Sequence, residues 1–358
     1  MEALKEETVQ RKDYLHGEPV STVYFGGGTP SLLSVAEIES ILLLIKQHYT
    51  IAADAEITLE ANPDTLSLEY LEGLRQLGIN RLSIGIQSFF DNDLQYLGRK
   101  HDAHHARQCL DWAKQVGFSN ISIDLIYGLP TSNAEQWNQN LDIFFSYGLP
   151  HLSAYALTLE PNSILTKQIE LGKALPVNDD DALRDYEMLC RRAKEKGYLH
   201  YEISNFCQMG MHSKHNTSYW FGTPYLGLGP SAHSFDGNSR QWNVSSVEKY
   251  IDTRHETARL RDQNVPCPEV PCPASEKEEL TIEQRYDEYV MLRLRTHWGI
   301  DLKWLKREMG ERFSSYCERQ AQPLVAQGKL SQTREFLYLN DQQMLFADGV
   351  AEALFWEA

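Results

Sequence analysis

The chain has 358 residues, 42% hydrophobic and 11% aromatic, which is ample for a packed core of two or three domains and too much for a disordered chain. Its 34 basic and 50 acidic residues give a formal net charge of −16, which disfavours a general nucleic-acid binder or a binder of anionic membranes. The longest purely aliphatic run, residues 41–45, is far too short for a bilayer, and six cysteines scattered along the chain suit a reducing cytoplasm better than a disulfide framework. No transmembrane segment, no nucleic-acid partner and a cytoplasmic location are therefore expected.

Residues 1–17 read as an amphipathic helix, with Leu4, Thr8 and Val9 near helical spacing. Strand and helix then alternate. Strands are expected over 20–25, 55–60, 81–86, 121–126 and 151–157, and helices over 34–48, 67–77, 102–116 and 133–146, with a short helix near 91–97. Ser34 and Ser67 are suited to N-caps, and Gly78, Gly117 and Gly148 to C-caps. The repeated unit is βα, so a parallel sheet with right-handed crossovers is expected. Beyond residue 160 the pattern shifts to helices over 162–173 and 178–197, then to short strands and loops over 198–245. A proline-rich stretch over 262–279 reads as a linker. Helical patterns over 281–296, 301–309 and 311–328 precede two short strand-like runs, a winged-helix-like order.

The strands end in polar residues. The first runs into Gly26-Gly27-Gly28-Thr29-Pro30-Ser31, where the backbone can approach a ligand and present amide N–H groups. On its own, such a loop is as much a tight turn as a ligand site. Others end in Glu60-Ala61-Asn62-Pro63, in Gln87-Ser88-Phe89 and in Asp124-Leu125-Ile126-Tyr127-Gly128. Successive parallel strands that end this way point these groups at one face, the active-site face of a β/α barrel.

In order and spacing these motifs, with Leu97-Gly98-Arg99, resemble the radical S-adenosylmethionine (SAM) proteins related to oxygen-independent coproporphyrinogen dehydrogenase. Tyr201-Glu202-Ile203-Ser204-Asn205-Phe206, His215-Asn216-Thr217-Ser218-Tyr219-Trp220 and Gly227-Leu228-Gly229-Pro230 are similar to the heme chaperone branch of that family. The resemblance implies a partial (β/α)6 TIM-like barrel lacking its first strand over 1–175 and a smaller α+β region with the heme motif over 176–261. It also implies a Pro/Cys linker over 262–280 and a winged-helix-like C-terminal domain over 281–358. It further implies that Gly27, Gly28, Thr29, Glu60, Gln87, Arg99 and Asp124 bind SAM, and that His215, Asn216, Tyr219 and Trp220 meet heme, with His215 the candidate iron ligand. No catalytic residue is assigned.

In the family a Cys-x3-Cys-x2-Cys loop holds a 4Fe-4S cluster. Cys109, Cys190, Cys207, Cys267, Cys272 and Cys317 do not show that spacing, so cluster and SAM cleavage are not expected from this polypeptide. An upstream extension of about 20–30 residues carrying the motif is expected, one strand plus a ligand loop in length. Without that strand, Val23, Tyr24 and Phe25 are expected to form an exposed edge. The leading functional expectation is a chaperone that binds heme and passes it to an acceptor, with a respiratory heme protein among the candidates. The alternatives are a SAM-dependent coproporphyrinogen dehydrogenase of porphyrin biosynthesis and a remnant that keeps only the fold. Among other groups, His101, His104 and His105 read as a solvated helix start, and His212 as a neighbour that supports His215. Met188, Met209 and Met211 read as packing residues, and the two Cys-Pro pairs at Cys267 and Cys272 as incidental to a spacer.

Overall fold

A computed structural model describes residues 1–161, 163–262 and 275–357, with side chains left out over 255–262. The Cys-Pro pairs at Cys267 and Cys272 lie outside the described residues.

The first helix, α1 (Glu2–Gln10), is shorter than its sequence pattern, and it buries Ala3, Glu7 and Thr8 while Val9 stays 36% exposed. The reason is a buried polar contact. Glu7 accepts hydrogen bonds from the Gly229 amide (2.8 Å), Asn243 Nδ2 (2.8 Å), the Tyr250 hydroxyl (2.6 Å) and Arg254 Nη2 (2.7 Å). Partners more than 200 residues away thus decide which face of α1 turns inward.

Five strands follow in parallel: β1 (Val20–Phe25), β2 (Ile51–Ala61), β3 (Arg81–Gln87), β4 (Asn120–Tyr127) and β5 (His151–Ala156). They alternate with α2 (Val35–His48), α3 (Leu68–Leu77), α4 (Asp91–Tyr96), α5 (Ala103–Val116) and α6 (Ala134–Tyr147). Ser34 and Glu37 form a full capping box on α2, and Ser67 accepts from the Tyr70 amide. Gly78, Gly117 and Gly148 end their helices in the left-handed conformation.

After α7 (Ile164–Glu170) and α8 (Asp179–Glu195), the hairpin β6 (Leu199–Glu202) and β7 (Asn205–Cys207) joins the sheet antiparallel to β5. The order is β1-β2-β3-β4-β5-β7-β6, an open half-barrel whose far edge is this hairpin. Its core runs from Val23 and Phe25 through Leu59, Leu82, Ile123 and Leu152 to Phe206.

The expected exposed edge at β1 is not seen in the side chains. Among the described residues β1 pairs with β2 alone, yet Val23 and Phe25 are buried and α9 (Lys214–Trp220) packs against the strand.

A small sheet of β8 (His233–Phe235), β9 (Ser239–Asn243) and β10 (Ser275–Glu279) lies beside α10 (Val247–Asp262) in sequence. The C-terminal part packs α11 (Ile282–Leu294), α12 (Leu302–Met309) and α13 (Glu311–Ala326) with a three-stranded sheet. That sheet consists of β11 (Ile300–Asp301), β12 (Ser331–Gln332) and β13 (Phe336–Tyr338). This part has its own core, including Tyr286, Leu294, Phe313 and Leu337. It is tied to the half-barrel by the Tyr186 hydroxyl on the Asp341 carbonyl (2.9 Å) and the His297 amide on the Tyr201 carbonyl (3.0 Å). No helix among the described residues is long and apolar enough to cross a membrane.

Candidate functional site

The C-terminal ends of β1 to β4 bring the expected polar residues to one mouth. After β1 the chain enters three glycines. A Cβ at Gly26 would collide with the Tyr24 ring, so only glycine passes there. Gly27 and Gly28 each have φ of 75°, and a Cβ on either would meet no atom within 4 Å, so the loop surface above them is open. Thr29 follows and starts a short 3-10 turn.

Glu60, at the end of β2, faces this loop. Its Oε2 accepts from the Gly27 amide (3.1 Å) and its Oε1 from the Tyr24 hydroxyl (2.7 Å). Gln87 ends β3 as a buried non-glycine residue at φ 65°, a conformation that persists only where the surroundings hold it. Gln87 and Asp124 line a cavity of about 570 Å³ together with Tyr127, Tyr155, Ile203 and Leu345. Leu345 comes from the C-terminal part.

Burial, and then the charge of Glu60, raise the Asp124 carboxyl to about 7, while a hydrogen bond from Ser153 and the guanidiniums of Arg81 and Arg99 oppose the rise. Burial lowers the Arg99 pKa, and the carboxylates of Asp124 and Asp64 oppose that shift. One mouth thus holds an open glycine loop, two carboxyls, an amide side chain and a guanidinium. That donor and acceptor set suits a small ligand carrying both an ammonium and a carboxylate.

The second constellation lies on α9, which packs on the face of β1 that carries Thr22 and Tyr24, opposite the face of Val23 and Phe25. Glu56 of β2, 5% exposed, accepts from the Ser213 hydroxyl (3.4 Å), the Lys214 amide (3.1 Å) and the His215 amide (3.1 Å). Its charge is balanced by buried Arg81 at 3.7 Å. A carboxylate on a strand therefore holds the first amides of the helix, as favoured at a helix N-terminus.

The His215 ring is held on three sides. Nδ1 meets Thr22 Oγ1 (3.1 Å), Nε2 meets the Tyr219 hydroxyl (3.0 Å), and the ring stacks on Tyr24 with centroids 4.3 Å apart at 12°. Burial, with Arg81 adding to it, lowers the His215 pKa to about 4, so the imidazole is neutral near pH 7. Asn216 sits in the first turn, its amide donating to the Ser213 hydroxyl (3.2 Å). Tyr219 is 37% exposed and stands edge-on to Tyr225. The Trp220 indole Nε1 is buried with no hydrogen-bond partner.

His101 is not on a solvated face: it is 4% exposed, and Nε2 bonds the Ile86 carbonyl (3.1 Å), because the loop before α5 folds back under β3. His212 packs on Tyr201 and beside Trp298. Met188 packs on the main core, but Met209 is 81% exposed. Cys109, Cys207 and Cys317 are buried, and burial pushes their thiols up to about 12, 12 and 11. Among the described residues, no three His, Cys, Asp or Glu side chains are grouped to hold a metal ion. Sequence reasoning missed Thr22, Tyr24, Glu56 and Arg81. All four lie on strands and meet their partners across distant sequence, so no local motif marks them.

Comparison with known proteins agrees with this architecture. The radical SAM superfamily pattern matches residues 2–143, and that of the HemN C-terminal domain matches 280–346. The heme chaperone HemW of Bacillus subtilis is 32% identical over 344 residues, which are 95% of this chain and 87% of that protein. HemW of Mycobacterium tuberculosis is also 32% identical, over 98% of this chain and 85% of its own length. The coproporphyrinogen III oxidase HemN of Escherichia coli, a radical SAM enzyme, shares the fold. It aligns with a TM-score of 0.81 over 99% of this chain and 82% of its own, at 23% identity. Matched over most of both lengths by these relatives, the chain belongs to the HemW family of radical SAM proteins.

Proposed function

We propose that this protein is a cytoplasmic heme chaperone that seats heme on α9 and passes it to an acceptor heme protein. The observation that carries this is the setting of His215. A neutral imidazole is a standard axial donor to heme iron. With Nδ1–H donating to Thr22, the Nε2 lone pair points toward half-exposed Tyr219, where an incoming iron displaces one hydroxyl. A hydrogen bond on the far nitrogen fixes the tautomer and strengthens the donor. Tyr219 and Trp220 supply aromatic surface for the porphyrin, and Asn216 a polar edge.

The mouth of the half-barrel suits SAM. The Gly27–Gly28 backbone, the Thr29 hydroxyl and Glu60 face its amino-acid end, Arg99 its carboxylate, and Gln87 and Asp124 its ribose and adenine side. In this superfamily SAM on a 4Fe-4S cluster supplies one-electron chemistry. The described residues offer such a cluster no ligand set, and the heme reading rests on α9 alone.

The test is transfer. The heme-loaded chain is mixed with the apo form of a respiratory heme protein, the two are separated, and the Soret absorbance of each is read. Movement of heme to the acceptor, faster than from free hemin at equal concentration, is expected. Heme that stays on the chain contradicts the chaperone reading.

A further inference from the structure

The two constellations touch. Glu60 divides its carboxylate between the Gly-Gly-Gly loop and Tyr24, one oxygen for the Gly27 amide (3.1 Å) and the other for the Tyr24 hydroxyl (2.7 Å). The Tyr24 ring in turn lies flat on His215 at 4.3 Å. An unbroken series of contacts therefore runs from the open loop through Glu60 and Tyr24 to the imidazole. Nothing between them is loose: Tyr24 is half-buried and His215 is bonded at both nitrogens.

We propose that Tyr24 is a positioning residue that couples the Gly-Gly-Gly loop to His215, so that a ligand drawing on Glu60 weakens the hold of His215 on heme. This rests on the reading of His215 as heme ligand.

The physics is electrostatic. A phenol donating to a carboxylate makes a charge-assisted hydrogen bond and becomes electron-rich. The face of an aromatic ring is its negative side. An imidazole bound to iron carries positive charge, and positive charge over such a face is attracted to it. Tyr24 stays a donor, because burial first and then the charge of Glu60 raise its pKa well above the ordinary tyrosine value. When a ligand with an ammonium or hydroxyl group engages Glu60, the Tyr24 hydroxyl loses its charged acceptor. The ring becomes less negative and the iron-bound imidazole less favoured. Coupling of this kind is reciprocal, so heme on His215 also weakens a ligand that competes for Glu60. The same contacts thus provide a release signal from the barrel mouth to a carrier of heme.

Hemin alone is the probe. It is titrated into the full chain, Glu60→Ala, Tyr24→Phe and the double variant, and both Kd and the Soret maximum are read. In the wild-type background Glu60→Ala is expected to weaken hemin binding about fivefold or more and to move the Soret maximum. Once Tyr24→Phe is in place, adding Glu60→Ala is expected to change neither. The Soret position matters because mere loosening of the fold lowers affinity without altering the donor to iron. Where Glu60→Ala disturbs the fold by circular dichroism, Glu60→Gln keeps the volume, removes the charge and is expected to act in the same direction. A Glu60 variant whose titration superimposes on the wild type overturns the relay, and so does a Glu60 effect that survives Tyr24→Phe. Both outcomes leave His215 ligation standing. Absence of saturable hemin binding by the wild-type chain instead overturns the heme reading, and the relay with it.

Discussion

Asp124 shows how one side chain carries the electrostatics of the mouth. Its folded pKa of about 7 lies above the ordinary aspartate value of 3.8, so the folded state holds the proton more tightly. The stability linked to that proton is fully present below the unfolded value and is lost as the pH rises through about 7. Asp124→Asn stays neutral at every pH. It is expected to raise the unfolding free energy at pH 8 by roughly 1–3 kcal/mol, discounted for the water-facing side of the carboxyl, and to change little near pH 3.5. Urea denaturation at the two pH values checks this; an equal effect at both contradicts the assigned shift. At this scale the sequence was legible where a strand ended in a polar group. Glu60, Gln87 and Asp124 stand where their motifs put them. Tyr24 and Thr22 were not legible, because a tyrosine and a threonine in a strand look like ordinary β-formers until a helix from about residue 214 is laid on them.

Among the elements, α9 depends most on the rest of the fold. It has seven residues and none of its side chains is fully buried, so its position rests on its anchors. Ser213 caps it locally, and Glu56 holds its first amides from β2. Glu56→Ala removes those acceptors and leaves Arg81, 2% exposed, without its carboxylate. A loss of about 3–5 kcal/mol in stability is expected. Amide exchange over residues 213–218 is expected to quicken by more than the global loss explains; exchange that tracks the global change alone contradicts the anchor. Helix ends governed by local chemistry, such as the Ser34–Glu37 box and the left-handed Gly78, Gly117 and Gly148, were readable in the sequence. The inner face of α1 was not, since apolar spacing points to Leu4 and Val9 while the buried partners of Glu7 all lie beyond residue 228.

At the level of the molecule, the parallel sheet and the winged-helix-like end follow from patterns within the chain. The hairpin β6–β7 and the packing of α9 on β1 do not, because short strands and a one-turn-plus helix have too little periodicity to announce themselves. These non-local placements are what bring the barrel mouth and the heme motif together through Tyr24. The proposed function stands on heme reaching His215. Its most direct test is a hemin titration of the full chain beside His215→Ala, with stoichiometry, Kd and Soret maximum read together. One heme per chain is expected for the wild type, with at least about tenfold weaker binding and a displaced Soret band for His215→Ala. Superimposable titrations would contradict His215 as the heme ligand.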